Sequence, residues 1–122
     1  MPRDLIRLIH ALLPPGLGPA DAPWSPAADV YQTPHGWLVK FDLAGVRPED
    51  IDLEVSGHRM TVRGVRRDCT THEGCSYYRL EIAYSRFERR LTLPDNLERA
   101  QITLEQRQGM LLVRINVGSE VR

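Results

Sequence analysis

Two cysteines and a histidine stand at even spacing in Cys69-x-x-His72-x-x-Cys75. These types can ligate zinc, but a closed structural site takes four ligands in a tetrahedron. The fourth has to come from His58 or from a second chain. The same pair could instead form a disulfide, within the loop or between subunits, or remain as two free, inert thiols. A thiolate nucleophile at Cys69 beside His72 needs an orienting group and an electropositive pocket, and the sequence signals neither. His10, His35 and His58 are scattered, and no local Ser/His/Asp or Cys/His framework accompanies them. There is no phosphate loop of the form G-x-x-x-x-G-K-[S/T]. Gly16-Leu17-Gly18 runs into Pro19 with no third glycine and no preceding strand, so it is not a dinucleotide fingerprint. The expectation is a chain that is not an enzyme and carries no cofactor and no metal, with Cys69, His72 and Cys75 as the weak metal candidate.

Arg89 is the other residue with chemistry to explain. In Phe87-Glu88-Arg89-Arg90-Leu91-Thr92-Leu93 the alternation puts Arg89 on one side with Phe87, Leu91 and Leu93. A guanidinium buried there needs a carboxylate, and breaking such a pair costs roughly 3–5 kcal/mol. The alternative is an arginine that snorkels to the sheet edge.

The elements that must position these residues read mainly as strands. Trp37, Val39, Phe41 and Leu43 alternate with Leu38, Lys40 and Asp42; Ile51, Leu53 and Val55 with Asp52 and Glu54; Met60 and Val62 with Thr61 and Arg63. Ser56-Gly57-His58 is short enough to close a hairpin between the last two. Pro48 fixes its own φ and keeps Arg47 extended, so Pro48-Glu49-Asp50 predicts one helical turn before Ile51. Ala100 to Glu105 alternates, and Gln108-Gly109 turns into a strand from Met110 to Ile115 with Leu111, Val113 and Ile115 on one face. Between Arg66 and Arg86 lies a polar loop followed by strand character at Tyr77, Tyr78, Leu80 and Ile82. An excursion of that length inside a small domain is more often functional than incidental.

At the N-terminus, Leu5, Leu8, Ile9, Leu12 and Leu13 fit one helical stripe, widened by Ile6 and stopped by Pro14-Pro15-Gly16. Three turns are marginal alone in water, so this segment must dock or stay partly disordered. A Gly/Pro/Ala-rich linker with Trp24 embedded in it follows. A tryptophan in such a stretch usually anchors it to a neighbouring surface; here Trp24 could equally contact another protein.

Composition sets the outer bounds. The 122 residues allow one domain: an arm and linker over 1–25, a β-sandwich over 26–117 and a tail over 118–122. Sixteen basic and sixteen acidic residues cancel, which gives no argument for nucleic acid. No apolar run is long enough for a membrane span. Asp4, Arg7 and His10 spoil the pattern of a signal peptide, so the expected location is cytoplasmic.

Four motifs in order carry a family resemblance. They are Asp29-Val30-Tyr31-Gln32-Thr33 with Pro34-His35-Gly36; Leu43-Ala44-Gly45-Val46-Arg47-Pro48-Glu49-Asp50-Ile51; Phe87 to Pro94; and Gly109-Met110-Leu111. Together, over about residues 26 to 116, they resemble the small heat-shock proteins, the α-crystallin-domain family. Ala44 stands where that family usually has proline. The resemblance implies an all-β, immunoglobulin-like antiparallel sandwich and an ATP-independent holdase that keeps partly unfolded proteins from aggregating. It implies client contacts at Leu5, Ile6, Leu8, Ile9, Leu12, Leu13 and Trp24. A groove between Leu53-Val55 and Ile102-Leu104 is where such proteins take an Ile-x-Ile/Val tail from another subunit, though the same residues also suit ordinary core. A homodimer or small oligomer is implied through Val30, Tyr77, Tyr78, Leu80, Ile82 and Arg89, by exchange of the Tyr77–Ile82 strand onto the partner's strand near Val30. The competing reading of that strand is a local hairpin. Ile115-Asn116-Val117 reads as Ile-x-Val but belongs to the last strand, so the tail motif is expected to be missing and large cages are disfavoured. The competing function is a non-catalytic scaffold or co-chaperone module that binds one folded partner.

Overall fold

The computed structural model describes residues 23–68 and 73–118. The N-terminal stripe from Leu5 to Leu13 lies outside the described residues, as do Cys69 and His72. The strands are β1 (Ala28–Thr33), β2 (Gly36–Asp42), β3 (Ile51–Ser56), β4 (Arg59–Val65), β5 (Arg86–Thr92), β6 (Gln101–Arg107) and β7 (Met110–Asn116). A 3-10 turn at Pro48–Asp50 precedes β3, with Arg47 extended before it. The strands form two antiparallel sheets, β1-β2-β7-β6 and β3-β4-β5, the expected sandwich.

The period-2 patterns decide which faces meet. Val39, Phe41 and Leu43 are buried from the β2 side, and Leu111, Val113 and Ile115 from β7. Met60, Val62 and Phe87 close the core from the second sheet, with Ile51, Leu53 and Val55 half-buried against it. Apolar burial of this kind is worth roughly 1.5–3 kcal/mol per large side chain, enough to fix register, since a one-residue slip would turn each row to water.

Two glycines are dictated by geometry. A Cβ on Gly64 would stand 2.0 Å from the Asp50 carbonyl oxygen, so only glycine lets the 3-10 turn close on β4. Gln108 and Gly109 both adopt positive φ, 53° and 78°, as a two-residue hairpin turn between Arg107 and Met110 requires.

The connection after β5 is ordered by tertiary bonds. Leu97 is buried, and its N–H donates to the Gly57 carbonyl at 2.7 Å. The Leu93 N–H donates to the His58 carbonyl at 2.8 Å, and Trp37 Nε1–H donates to Asp95 Oδ2 at 2.8 Å. These contacts tie the crossover to both sheets.

Trp24, placed in the linker by composition, joins the fold. It makes a parallel bridge to Phe87, donating its N–H to the Arg86 carbonyl and accepting from the Glu88 N–H, both at 3.1 Å. Residues 24–27 form a strap that covers the outer edge of β5 before β1 begins.

Candidate binding surfaces

β3 and β6 are edge strands of opposite sheets, and a cleft of about 260 Å³ lies between them. Pro48, Ile51, Leu53, Leu104 and Leu111 give it an apolar lining. Leu104 is 55% exposed, an unusual position for leucine on a strand beside the core. Of the expected groove residues, Leu53 and Leu104 line the cleft and Val55 and Ile102 do not; Leu53, Val55 and Ile102 all pack against the core. Gln106 donates from Nε2 to the Val46 carbonyl at 2.8 Å, which holds β6 to the β2–β3 connection across the cleft.

Ion pairs flank this cleft, with two arginines to each carboxylate. Glu105 pairs with Arg107 and, at 3.5 Å, with Arg114. The hydrogen bond from Arg107 is the main cause that holds the Glu105 carboxyl below its ordinary range, against a smaller opposing effect of burial. In the turn before β3, Asp50 Oδ2 is 3.2 Å from both Arg47 Nε and Arg67 Nε. Loss of hydration raises the Asp50 pKa, but hydrogen bonds and charge from Arg67 and Arg47 outweigh it and the net direction is down. An apolar floor between two edge strands suits an extended apolar segment laid along β3 or β6.

The second expected surface is divided in the single chain. β1 is an edge strand with Val30 41% and Tyr31 45% exposed. The segment expected to be a strand, Tyr77 to Ile82, forms neither a strand nor a local hairpin. Tyr77, Tyr78 and Ile82 stand in solvent and only Leu80 is half-buried. The physical reason is that strand propensity needs a ladder partner, and among the described residues no edge meets the segment.

Arg89 differs from its expected pairing. It is half-buried on β5, and Nη1 donates to the Pro26 carbonyl at 3.1 Å. Its acceptor is therefore backbone of the strap rather than the carboxylate of the paired reading, because the strap along the β5 edge brings the Pro26 carbonyl within reach.

Cys75 is an exposed free thiol. Among the described residues no three His, Cys, Asp or Glu side chains are grouped to hold a metal ion. His58 Nδ1 lies 3.1 Å from the Leu93 carbonyl, a contact that serves the turn. The sequence reading missed Arg66, which bonds to Ala83 and Ala44 and stacks on Trp24. It also missed Leu97. The presence of Arg just past a strand gave no local signal of either role.

The Hsp20/alpha crystallin family model matches residues 29–121. The chain belongs to the Hsp20/alpha crystallin family. It is 27% identical over 90 residues to small heat shock protein C2 of Rickettsia felis, covering 74% of this chain and 58% of that protein. It is 28% identical to the 18 kDa heat shock protein of Streptomyces albus G, covering 98% and 82%. Among solved structures, hspA of Xanthomonas axonopodis aligns with a TM-score of 0.62 at 29% identity, covering 76% of this chain and 93% of that one. Heat shock protein 16.0 of Schizosaccharomyces pombe has the same fold, with a TM-score of 0.68 at 24% identity over 80% and 92% of the two chains. The chain spans 58% of the C2 protein and 57% of spore protein SP21 of Stigmatella aurantiaca. No helix among the described residues is long and apolar enough to cross a membrane.

Proposed function

We propose that this chain is an ATP-independent holdase, acting in the cytoplasm on partly unfolded proteins and catalysing no reaction. One observation carries the reading: a small heat-shock sandwich leaves Tyr77, Tyr78, Ile82 and Leu104 more than half exposed while its core is closed. Apolar surface of this kind on a folded domain marks interaction sites. The Tyr77–Ile82 segment and the β1 edge at Val30 are complementary in kind, a strand-prone segment without a ladder and an edge without a neighbour. Each chain lends the segment to its partner's β1, giving a homodimer. Clients engage the apolar arm at Leu5, Ile6, Leu8, Ile9, Leu12 and Leu13, with Trp24 at its root, and extended apolar segments enter the Leu53–Leu104 cleft.

The test is light scattering from two unrelated heat-denaturing clients, without ATP, with the full chain and with a version lacking residues 1–22. Suppression of both clients by the full chain and neither by the truncation assigns the contacts to the arm. Suppression by both versions assigns them to the sandwich. If neither protects at equimolar ratio, general chaperoning is wrong and a dedicated folded partner takes its place.

A further inference from the structure

Arg66 lies just past β4, where three irregular segments meet. Its Nε donates to the Ala83 carbonyl at 2.8 Å and its Nη1 to the Ala44 carbonyl at 3.1 Å. The guanidinium carbon is 4.2 Å from the ring centroid of Trp24 and 5.9 Å from that of Tyr84. Trp24 also packs on Phe87, with centroids 5.1 Å apart, and donates Nε1–H to the Ser85 carbonyl at 3.2 Å. One side chain thus touches the N-terminal strap, the return of the long loop and the β2–β3 connection. A planar fork can donate in two directions while its face stacks on an aromatic ring, which an ammonium cannot do.

We propose that Arg66 is a coupling pin between the N-terminal strap and the root of the exposed Tyr77–Ile82 segment. With the Trp24 ring docked, the guanidinium is held in the orientation that bonds Ala83 and Ala44. With the ring withdrawn, Arg66 loses the surface that orients it, and both carbonyls lose a fixed donor. A partner that draws the chain preceding Trp24 outward therefore loosens the loop root without touching it. Coupling of this kind is reciprocal: whatever holds the loop also holds the strap. The inference goes beyond the holdase reading and stands whether or not the loop pairs with a second chain.

Amide hydrogen exchange on the full chain tests it, comparing the unaltered protein with Trp24→Ala, Arg66→Lys and the double variant. Trp24→Ala keeps the two backbone bonds of residue 24 to β5. The reporters are the Arg66 N–H, bonded to the Ser85 carbonyl, and the Val46 N–H, bonded to the Leu43 carbonyl. In Trp24→Ala both are expected to exchange roughly five- to thirtyfold faster, the range that loss of one desolvated cation–π contact supports. In Arg66→Lys the Glu88 N–H, bonded to the Trp24 carbonyl, is expected to accelerate by a similar factor. The double variant should exchange more slowly than the product of the single effects predicts. Acceleration confined to Arg86–Glu88 in Trp24→Ala overturns the proposal. So does an equal acceleration across the β2–β7 ladder, which would make Trp24 a contributor to global stability alone, and so does a double variant equal to the product.

Discussion

At the outer edge of β5 the chain covers itself; at the β3–β6 flank the described residues do not. The strap bonds β5 through both backbone groups of Trp24, stacks that ring on Phe87 and Arg66, and gives the Pro26 carbonyl to Arg89. The opposite flank has an apolar cleft, a half-exposed Leu104 and a single side-chain bridge from Gln106 to Val46. Unpaired strand edges invite pairing with other chains, and folded proteins usually cover or blunt those they do not use. The difference teaches that exposure here is selective: one edge is sealed with aromatic and cationic side chains while the other is left open and apolar.

The comparison breaks first at Phe87. Phe87→Ala empties a buried site under Trp24 and is expected to cost about 3–5 kcal/mol in urea denaturation. A loss under about 1 kcal/mol would mean the sealed edge contributes little and the two flanks are energetically alike.

On the open flank Leu104→Ala is expected to cost under about 1 kcal/mol, because much of the side chain already faces water. The same change should weaken binding of a fluorescent Ile-rich extended peptide severalfold by anisotropy; unchanged binding would remove the cleft from the candidate sites.

Asp50 sharpens the contrast through pH. Its folded pKa is lowered by Arg67 and Arg47 against the opposing effect of lost hydration. Its contribution to stability is thus fully present above the unfolded value, near pH 4, and is lost as pH falls through the lower folded value. Asp50→Asn should flatten the acid limb of the stability curve, with no change in slope above about pH 5. An identical acid limb would show that the two arginines leave Asp50 energetically indifferent.

The smallest effect on stability is expected at Tyr78, which is 97% exposed. Tyr78→Ala combined with Ile82→Ser should leave the denaturation midpoint within about 0.5 kcal/mol. The mass from light scattering should fall toward that of one chain if this segment supplies the dimer contact. An unchanged mass would place self-association elsewhere.

Much of the fold was legible because burial repeats with the strand period. Val39, Phe41, Leu111, Val113 and Ile115 announce inward faces by alternation, and Pro48 announces the turn before β3. The cleft was legible in part: Leu53 and Leu104 line it, but Val55 and Ile102 on the same strands do not. Alternation gives the side of a sheet and not the position along a flank where two sheets diverge. Tyr77–Ile82 shows the converse, a strand-prone segment that stays irregular because no edge among the described residues meets it.

By itself the sequence determined which face of each alternating strand turns inward and where the hairpin turns at Gly57 and Gly109 fall, since each depends on neighbours in the chain. Only the tertiary structure decided where Trp24, Arg66, Arg89 and Leu97 belong. The Trp24–Ser85 bond spans 61 residues, that from Arg89 to Pro26 spans 63, and the Leu97 amide bonds back to Gly57. Such contacts form when two sheets pack and the strap crosses their edge. A carbonyl can then satisfy an arginine for which the sequence predicted a carboxylate, because close packing selects whichever acceptor it brings within reach.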